Sequence, residues 1–331
     1  MIREQSWLTA SLPHIWNDSI FNMAYKMNSE KKVLITGASG MIGKQLIAAL
    51  QQQGFSIHIL SRSTQASIKN VQHFEWNVDK KKLDRAALQG VSTIIHLAGA
   101  GVAEERWTAQ RKKELIDSRV KSAALLFEAL QQIPNQVKTF ISASAVGYYG
   151  DCGNEVLDEN HHSGNSFLAH VCLQWENAAR QFEAIGIRVV CCRIGIVLGK
   201  DGGALPELTK TLPLGVAGYF SKQPLFYPWI HESDVAGILI HALQNEHLSG
   251  SFNTTAPSPL PIKELMQAII KARNSNAVLV PVPTIALKLA MGEMADMLLS
   301  SQLCTAQKII ASGYTFQFPD INAALKDIYS N

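Results

Sequence analysis

The chain has 331 residues, 47% of them hydrophobic, with 30 Lys and Arg against 27 Asp and Glu for a formal charge of +3. That is enough apolar chain for one large domain or two coupled ones, and the short basic runs Lys80–Lys82 and Arg111–Lys113 lack the interleaved aromatics of a nucleic-acid surface. The five cysteines form no Cys-x-x-Cys pair and no apolar run reaches about eighteen residues, so a reduced, cytoplasmic protein without a zinc site or a membrane span is expected.

The first thirty residues have neither an uninterrupted apolar core nor a small-residue cleavage site, so they do not read as a secretory signal. Residues 1–30 are expected to be an extension, disordered or not native, with Met27 an alternative start. From Lys31 short β-branched runs alternate with amphipathic segments. "KVLITG" reads as a strand, "MIGKQLIAALQQQG" as a helix ending at Gly54, "SIHILSRS" and "VQHFEWNV" as the next two strands, and "LDRAALQG" as a short helix. "STIIHLAGAG" is a fourth strand, Thr108 to Gln132 a long helix, and "KTFISASAVGYYG" a fifth strand with its loop. A helix over "FLAHVCLQWENAARQFEAIG" and a sixth strand over "IRVVCCRIGIVLG" follow. Continuous apolar strands alternating with helices specify an α/β fold, a Rossmann-type doubly wound parallel sheet.

After Gly199 the rhythm breaks into Gly- and Pro-rich text, then a strand and helix in "PLFYPWIHESDVAGILIHAL", then further helices including one over "PTIALKLAMGEMADMLLSS". The sequence thus divides into a cofactor domain over 31–198 plus 226–248 and a smaller, mostly helical substrate lobe over 199–225 plus 249–331. Met291, Met294 and Met297 are spaced three apart, a stripe that reads as core.

"TGASGMIGK" joins the first strand to the first helix with glycines at 37, 40 and 43. A tight turn, close approach to a pyrophosphate and close helix–strand packing each require a missing Cβ, and the helix N-terminus then faces the phosphates. A P-loop is excluded, because Ala38 stands at its first glycine and Gln45 at its Ser/Thr. The second strand ends in "LSRS", with Arg62 and no carboxylate. A guanidinium suits a ribose 2′-phosphate, so NADP(H) is expected rather than NAD(H).

These segments, with "HLAGAGVAEERW", "IDSRV", "SASAVGYYGDCG", "FLAHVCLQWE", "RIGIVLGKDGGAL", "PWIHESDVAGI" and the C-terminal "PVPTIALKLAMGEMADMLLSSQ", resemble the extended short-chain dehydrogenase/reductase superfamily and, within it, the YfcH-like branch of epimerases. The resemblance covers nearly everything after residue 30. It implies that Gly37, Ser39, Gly40, Met41, Ile42 and Gly43 wrap the pyrophosphate, that Arg62 holds the 2′-phosphate, and that Asn77 and Val78 lie by the adenine. Leu97, Ala98 and Gly99 would line the cofactor, Arg106 would reach its phosphates, and Ser118, Ser142 and Cys172 would also touch it. Ala100 departs from relatives, which often carry Glu there.

The superfamily's usual proton-transfer pair is Tyr-x-x-x-Lys on the helix after the fifth strand. Aligned on Glu176, those positions are Leu168 and Cys172, so both groups are missing, a lack the branch shares. Ser144 and the phenols of Tyr148 and Tyr149 are the candidate substitutes, the tyrosines set against ligand stacking or packing. One of Asp151, Glu155, Asp158 and Glu159 is a candidate base, against a merely solvated loop. In the helix itself Phe167, Val171 and Trp175 share one stripe and read as core, with His170 solvated. His161, His162 and His170 lack ligand spacing, so no metal is expected.

Two functions follow. One is an NADP(H)-dependent oxidoreductase or epimerase, monomer or homodimer, acting on a small polar or sugar-derived substrate, with a nucleotide sugar as one such class. The other is a non-catalytic NADP(H)-binding regulator, which some relatives would link to cell division.

Overall fold

A computed structural model describes residues 32–62, 70–200, 202–220 and 224–330; residues 1–31, including the expected extension, lie outside the described residues. The framework is an eight-stranded sheet of β1 (Lys32–Thr36), β2 (Ser56–Ser61), β3 (Val71–Asn77), β4 (Lys82–Leu83), β5 (Thr93–His96), β6 (Thr139–Ala145), β8 (Arg188–Ile194) and β14 (Gly250–Thr254), with β7 (Val156–Leu157) lying outside it. Their order is β14-β8-β6-β5-β1-β2-β3-β4, and every pairing is parallel except β3 with β4. In register, Ile35 of β1 sits between Ile59 of β2 and Ile95 of β5. Such strands bury both faces, which is why they are apolar runs rather than alternating patterns.

Helices cover the two faces. On one, α1 (Met41–Gln52) packs beside the helix Glu232–Gln244 over Val33, Ile35, Ile57 and Ile95. On the other, α2 (Ala109–Gln132) and α3 (Phe167–Arg180) pack together over Leu34, Ile94, Phe140 and Val189. Thr108 caps α2 by accepting from the Arg111 amide, and Ser166 caps α3 by accepting from the Ala169 amide.

Two sequence expectations change here. The expected sixth strand is two: at Gly195 the chain turns, and β9 (Ile196–Gly199) leaves the large sheet for β10 (Gly202–Gly203) and β13 (Trp229–His231). A Cβ at Gly195 would lie 2.0 Å from the Pro228 carbonyl oxygen, so only glycine allows that crossing. Second, β14 belongs to the large sheet, with Phe252 opposite Cys192, although the sequence reading put residues from 249 in the lobe. Its text, "GSFNT", is too polar to announce a buried strand; hydrogen bonding rather than hydropathy allows its burial.

The lobe gathers α4 (Leu205–Leu208), β11 (Val216–Phe220), β12 (Phe226–Tyr227), α6 (Ile262–Ala272), the strands β15 (Leu260–Pro261) and β16 (Val278–Val282), and α10 (Ile321–Ser330), around Trp229, Leu265, Ile269 and Leu325. The helix Glu232–Gln244 noted above is α5. The expected late helix is broken: α7 (Thr284–Met291) stops at Gly292, φ 63°, and α8 (Ala295–Leu299) resumes after a tight turn. Of the methionine stripe only Met294 is buried. The chain then forms β17 (Leu303–Cys304), paired with β7, and α9 (Gln307–Ala311), whose Ile309 joins the core beside the large sheet. The C-terminal segment thus stitches lobe and sheet together.

Candidate active site

The glycine loop sits where β1 meets α1. Gly37 has φ +72°, and a Cβ there would lie 2.7 Å from the Leu97 carbonyl carbon, so it serves both a left-handed turn and the close passage of the β5 loop. A Cβ at Gly43 would lie 2.6 Å from the Gly37 carbonyl oxygen, which fixes helix against strand. Gly40 differs. It caps α1 with φ −71°, is exposed, and a Cβ there would meet nothing nearer than 3.4 Å. The protein itself does not demand glycine at 40; a group lying on the loop would. No side chain caps α1, so the amides of its first turn face outward from the loop beside exposed Ser39. A diphosphate would suit these features.

Arg62 is exposed just past β2. Asn77 ends β3, its Oδ1 accepting from the Lys80 amide, and Val78 packs into the core. The loop after β5 is held by a chain of buried polar groups. The Ala98 amide donates to Thr36 Oγ1, Thr36 lies 2.8 Å from His96 Nδ1, and His96 Nε2 lies 3.0 Å from Ser122 Oγ, which in turn donates to the Ser118 carbonyl. Burial pulls the His96 imidazole down to about 4, so it is neutral at pH 7. Ser118 accepts from the Ala100 amide while Arg119 donates to the Ala100 carbonyl, clamping that residue from both sides.

Beyond β6 lies a second buried network. Glu176 on α3 receives Nε and Nη2 of Arg193 at 2.8 and 3.0 Å, Ser144 Oγ at 2.9 Å and Ser251 Oγ at 2.9 Å. Burial alone would raise the Glu176 carboxyl, but the Arg193 guanidinium and the two hydroxyls hold it below its ordinary value. Arg193 Nη1 also donates to Tyr149 OH at 3.0 Å, and that hydroxyl donates to Asn253 Oδ1 at 2.7 Å. Burial drives the Tyr149 phenol up, only partly offset by Arg193.

The two tyrosines therefore separate. Tyr149 is 2% exposed with its hydroxyl fully engaged, whereas Tyr148 is half-buried and lies over the Arg193 guanidinium. Ser144 gives its hydroxyl to Glu176, and Ser142, wholly buried, gives its own to the Ala143 carbonyl. Cys172 is also buried, its thiol pushed up to about 12 by desolvation. The turn at Gly147 explains the burial: a Cβ there would lie 3.4 Å from Leu168 Cβ and 3.9 Å from Cys172 Sγ. The face of α3 that lacks Tyr and Lys is covered by the loop carrying Tyr148. On the same helix Val171 and Trp175 are buried and His170 is exposed.

Arg106 is directed elsewhere, donating to the Leu289 and Ala290 carbonyls at the end of α7, and so ties the lobe to the β5 loop. In the acidic loop, Glu159 accepts from the Asn253 amide, Asp151 from the Ser301 amide, and Glu155 and Asp158 flank His161. Arg119, Glu176, Arg193 and Asn253 escaped the sequence reading as functional residues. Arg119, Glu176 and Arg193 fall within the quoted "IDSRV", "FLAHVCLQWE" and "RIGIVLG" segments, but nothing in one sequence pairs the last two across 17 positions. Among the described residues no His, Cys, Asp and Glu cluster is arranged to hold a metal, and no helix is long and apolar enough to cross a membrane.

Comparison with known proteins matches residues 33–254 to the NAD dependent epimerase/dehydratase family and residues 282–328 to a domain of unknown function, DUF1731. Epimerase family protein ML0860 of Mycobacterium leprae is 33% identical over 294 residues, 88% of this chain and 94% of that protein. Human epimerase family protein SDR39U1, solved with NADPH, superposes with a TM-score of 0.81 at 31% identity, over 91% of this chain and 99% of that one. A nucleoside-diphosphate sugar epimerase from Corynebacterium glutamicum superposes with a TM-score of 0.72 at 29% identity, over 93% of this chain and 60% of that one.

Proposed function

The chain belongs to the NAD dependent epimerase/dehydratase family, and we propose that it works as an NADP(H)-dependent oxidoreductase or epimerase of the extended short-chain type, on a small polar or sugar-derived substrate. The observation that carries the cofactor reading is Gly40: a glycine the folded chain has room to replace, at the uncapped start of α1. The residues fit the group. The amides of Met41, Ile42 and Gly43 would hold the pyrophosphate, Arg62 would hold the 2′-phosphate, and Leu97 to Gly99 would line the wall beside it. SDR39U1 with NADPH supports the choice of phosphorylated coenzyme.

NADP(H), when bound, supplies or accepts the hydride. The chain's own task is the proton at the substrate oxygen, and Tyr148 performs it. It is the phenol of the loop that is neither sealed nor hydrogen-bonded to Asn253, and the Arg193 guanidinium carbon lies 3.6 Å from its ring centroid. Glu176 neutralises Arg193 and, with Ser144 and Ser251, holds it in place.

A second reading, a non-catalytic NADP(H) sensor, draws on Cys172 and Leu168 in place of an ammonium and a phenol, and on the Ser144 hydroxyl being already committed to Glu176. A titration with NADPH and NADH, followed by a turnover screen on carbonyls and nucleotide sugars, separates the two. Tight NADPH binding without turnover of any compound would favour the sensor.

A further inference from the structure

Arg119 lies in the seam between α2 and α3, 8% exposed. Its Nη1 donates to the Leu115 carbonyl at 2.8 Å and its Nη2 to the Ala100 carbonyl at 3.0 Å. The guanidinium carbon stands 4.7 Å from the centroid of the Trp175 ring. Gly99 closes the other side: a Cβ there would lie 3.0 Å from Cζ and 3.2 Å from Nε. The loop after β5 is thus shaped to let a buried guanidinium approach its backbone.

Among the described residues that charge has no counterion: no carboxylate pairs with it, and the ionisable groups that act on it are Cys172 and another cation, Arg111. Cys172 is a neutral thiol at pH 7, since desolvation pushes it up to about 12. Two buried donors in the seam, Arg119 Nε and Trp175 Nε1, also find no acceptor among the described residues. Holding the Ala100 carbonyl explains none of this, because a neutral donor would serve there without the cost of burying an unpaired charge.

The sheet order places this charge on one side of the glycine loop. The glycine cradle lies at β1, and Arg62 marks the adenosine side at β2. Gly99, against which Arg119 packs, follows β5, which lies on the other side of β1 from β2, and Gly147 follows β6, the next strand out. We infer that Arg119 is the fixed positive charge of the nicotinamide end of the cleft, and that it makes the protein prefer NADPH to NADP+. The oxidised ring carries a positive charge that the guanidinium repels; the reduced ring carries none. The phosphates are common to both coenzymes and feel the cation equally.

The inference rests on the cofactor reading above, and the test keeps the two apart. The full chain and its Arg119→Met, Arg119→Gln and Arg119→Lys variants are titrated with NADPH and with NADP+ in the same buffer. The two charge-free variants are expected to weaken NADPH more than NADP+, shrinking the preference for the reduced coenzyme on the order of tenfold, while Arg119→Lys keeps it. Arg119→Gln retains a donor for the Ala100 carbonyl and supplies the readout if Arg119→Met does not fold. Equal weakening of both coenzymes, or no change in either, overturns the inference and leaves cofactor binding standing. A wild-type chain that binds neither coenzyme overturns the cofactor reading itself, and this inference with it.

Discussion

The ring centroid of Tyr148 lies 3.6 Å from Cζ of Arg193, while the adjacent Tyr149 accepts a hydrogen bond from the same guanidinium. One buried cation therefore serves two phenols in different ways. It anchors the sealed one by hydrogen bonding and faces the accessible one with its charge.

The two tyrosines should accordingly fail differently. Tyr148→Phe is expected to fold with unchanged denaturant midpoint and NADPH affinity, and to lose turnover by about a hundredfold or more on any substrate the wild type accepts. Tyr149→Phe leaves Asn253 Oδ1 and one Arg193 donor buried without their partner. It should cost about 1–3 kcal/mol in urea unfolding. Reversed phenotypes would return proton transfer to Tyr149.

Substitutions in the glycine loop separate folding from binding. Gly43→Ala puts a methyl within 2.7 Å of the Gly37 and Ala38 backbone and is expected to lower the melting temperature or prevent folding. Gly40→Ala has room in the protein and is expected to melt like wild type, yet to bind NADPH at least about tenfold more weakly, because the methyl occupies the approach to the helix amides. Unchanged NADPH affinity in Gly40→Ala would remove the pyrophosphate from this loop.

Acid should loosen the β5 loop through His96. Its folded-state value is about 4 against an ordinary 6.5, so the unfolded chain binds the extra proton first. The neutral imidazole's contribution is complete above about pH 6.5 and is lost as pH falls toward 4, a loss of about 3 kcal/mol at most. Urea unfolding of wild type and His96→Asn between pH 7 and 4 measures it. A wild-type curve no steeper than the variant's would contradict the assignment.

The large sheet was legible because parallel strands buried on both faces must be continuous apolar runs, and "VLIT", "IHIL" and "TIIH" are such runs. The glycine cradle was legible for a similar reason: Gly37 and Gly43 meet backbone that no side chain could approach. β14 was not, because Asn253 is buried by bonds to the Leu157 and Thr305 carbonyls and to Tyr149, partners about 50 to 100 residues away in the chain. Arg193 was hidden for the same reason, since one sequence does not reveal that Glu176 neutralises it. Arg106 was expected at the cofactor phosphates but is turned toward α7, a destination set by the lobe's packing.

The central claim is that this cleft holds NADP(H), with Arg62 reading the 2′-phosphate. The direct measurement is a pair of binding titrations, NADPH and NADH, on wild type and on Arg62→Ala. The account predicts that wild type binds NADPH at least about tenfold more tightly than NADH and that Arg62→Ala removes most of that difference while leaving NADH unchanged. Equal affinity of wild type for the two coenzymes, or a preference that survives in Arg62→Ala, would contradict it.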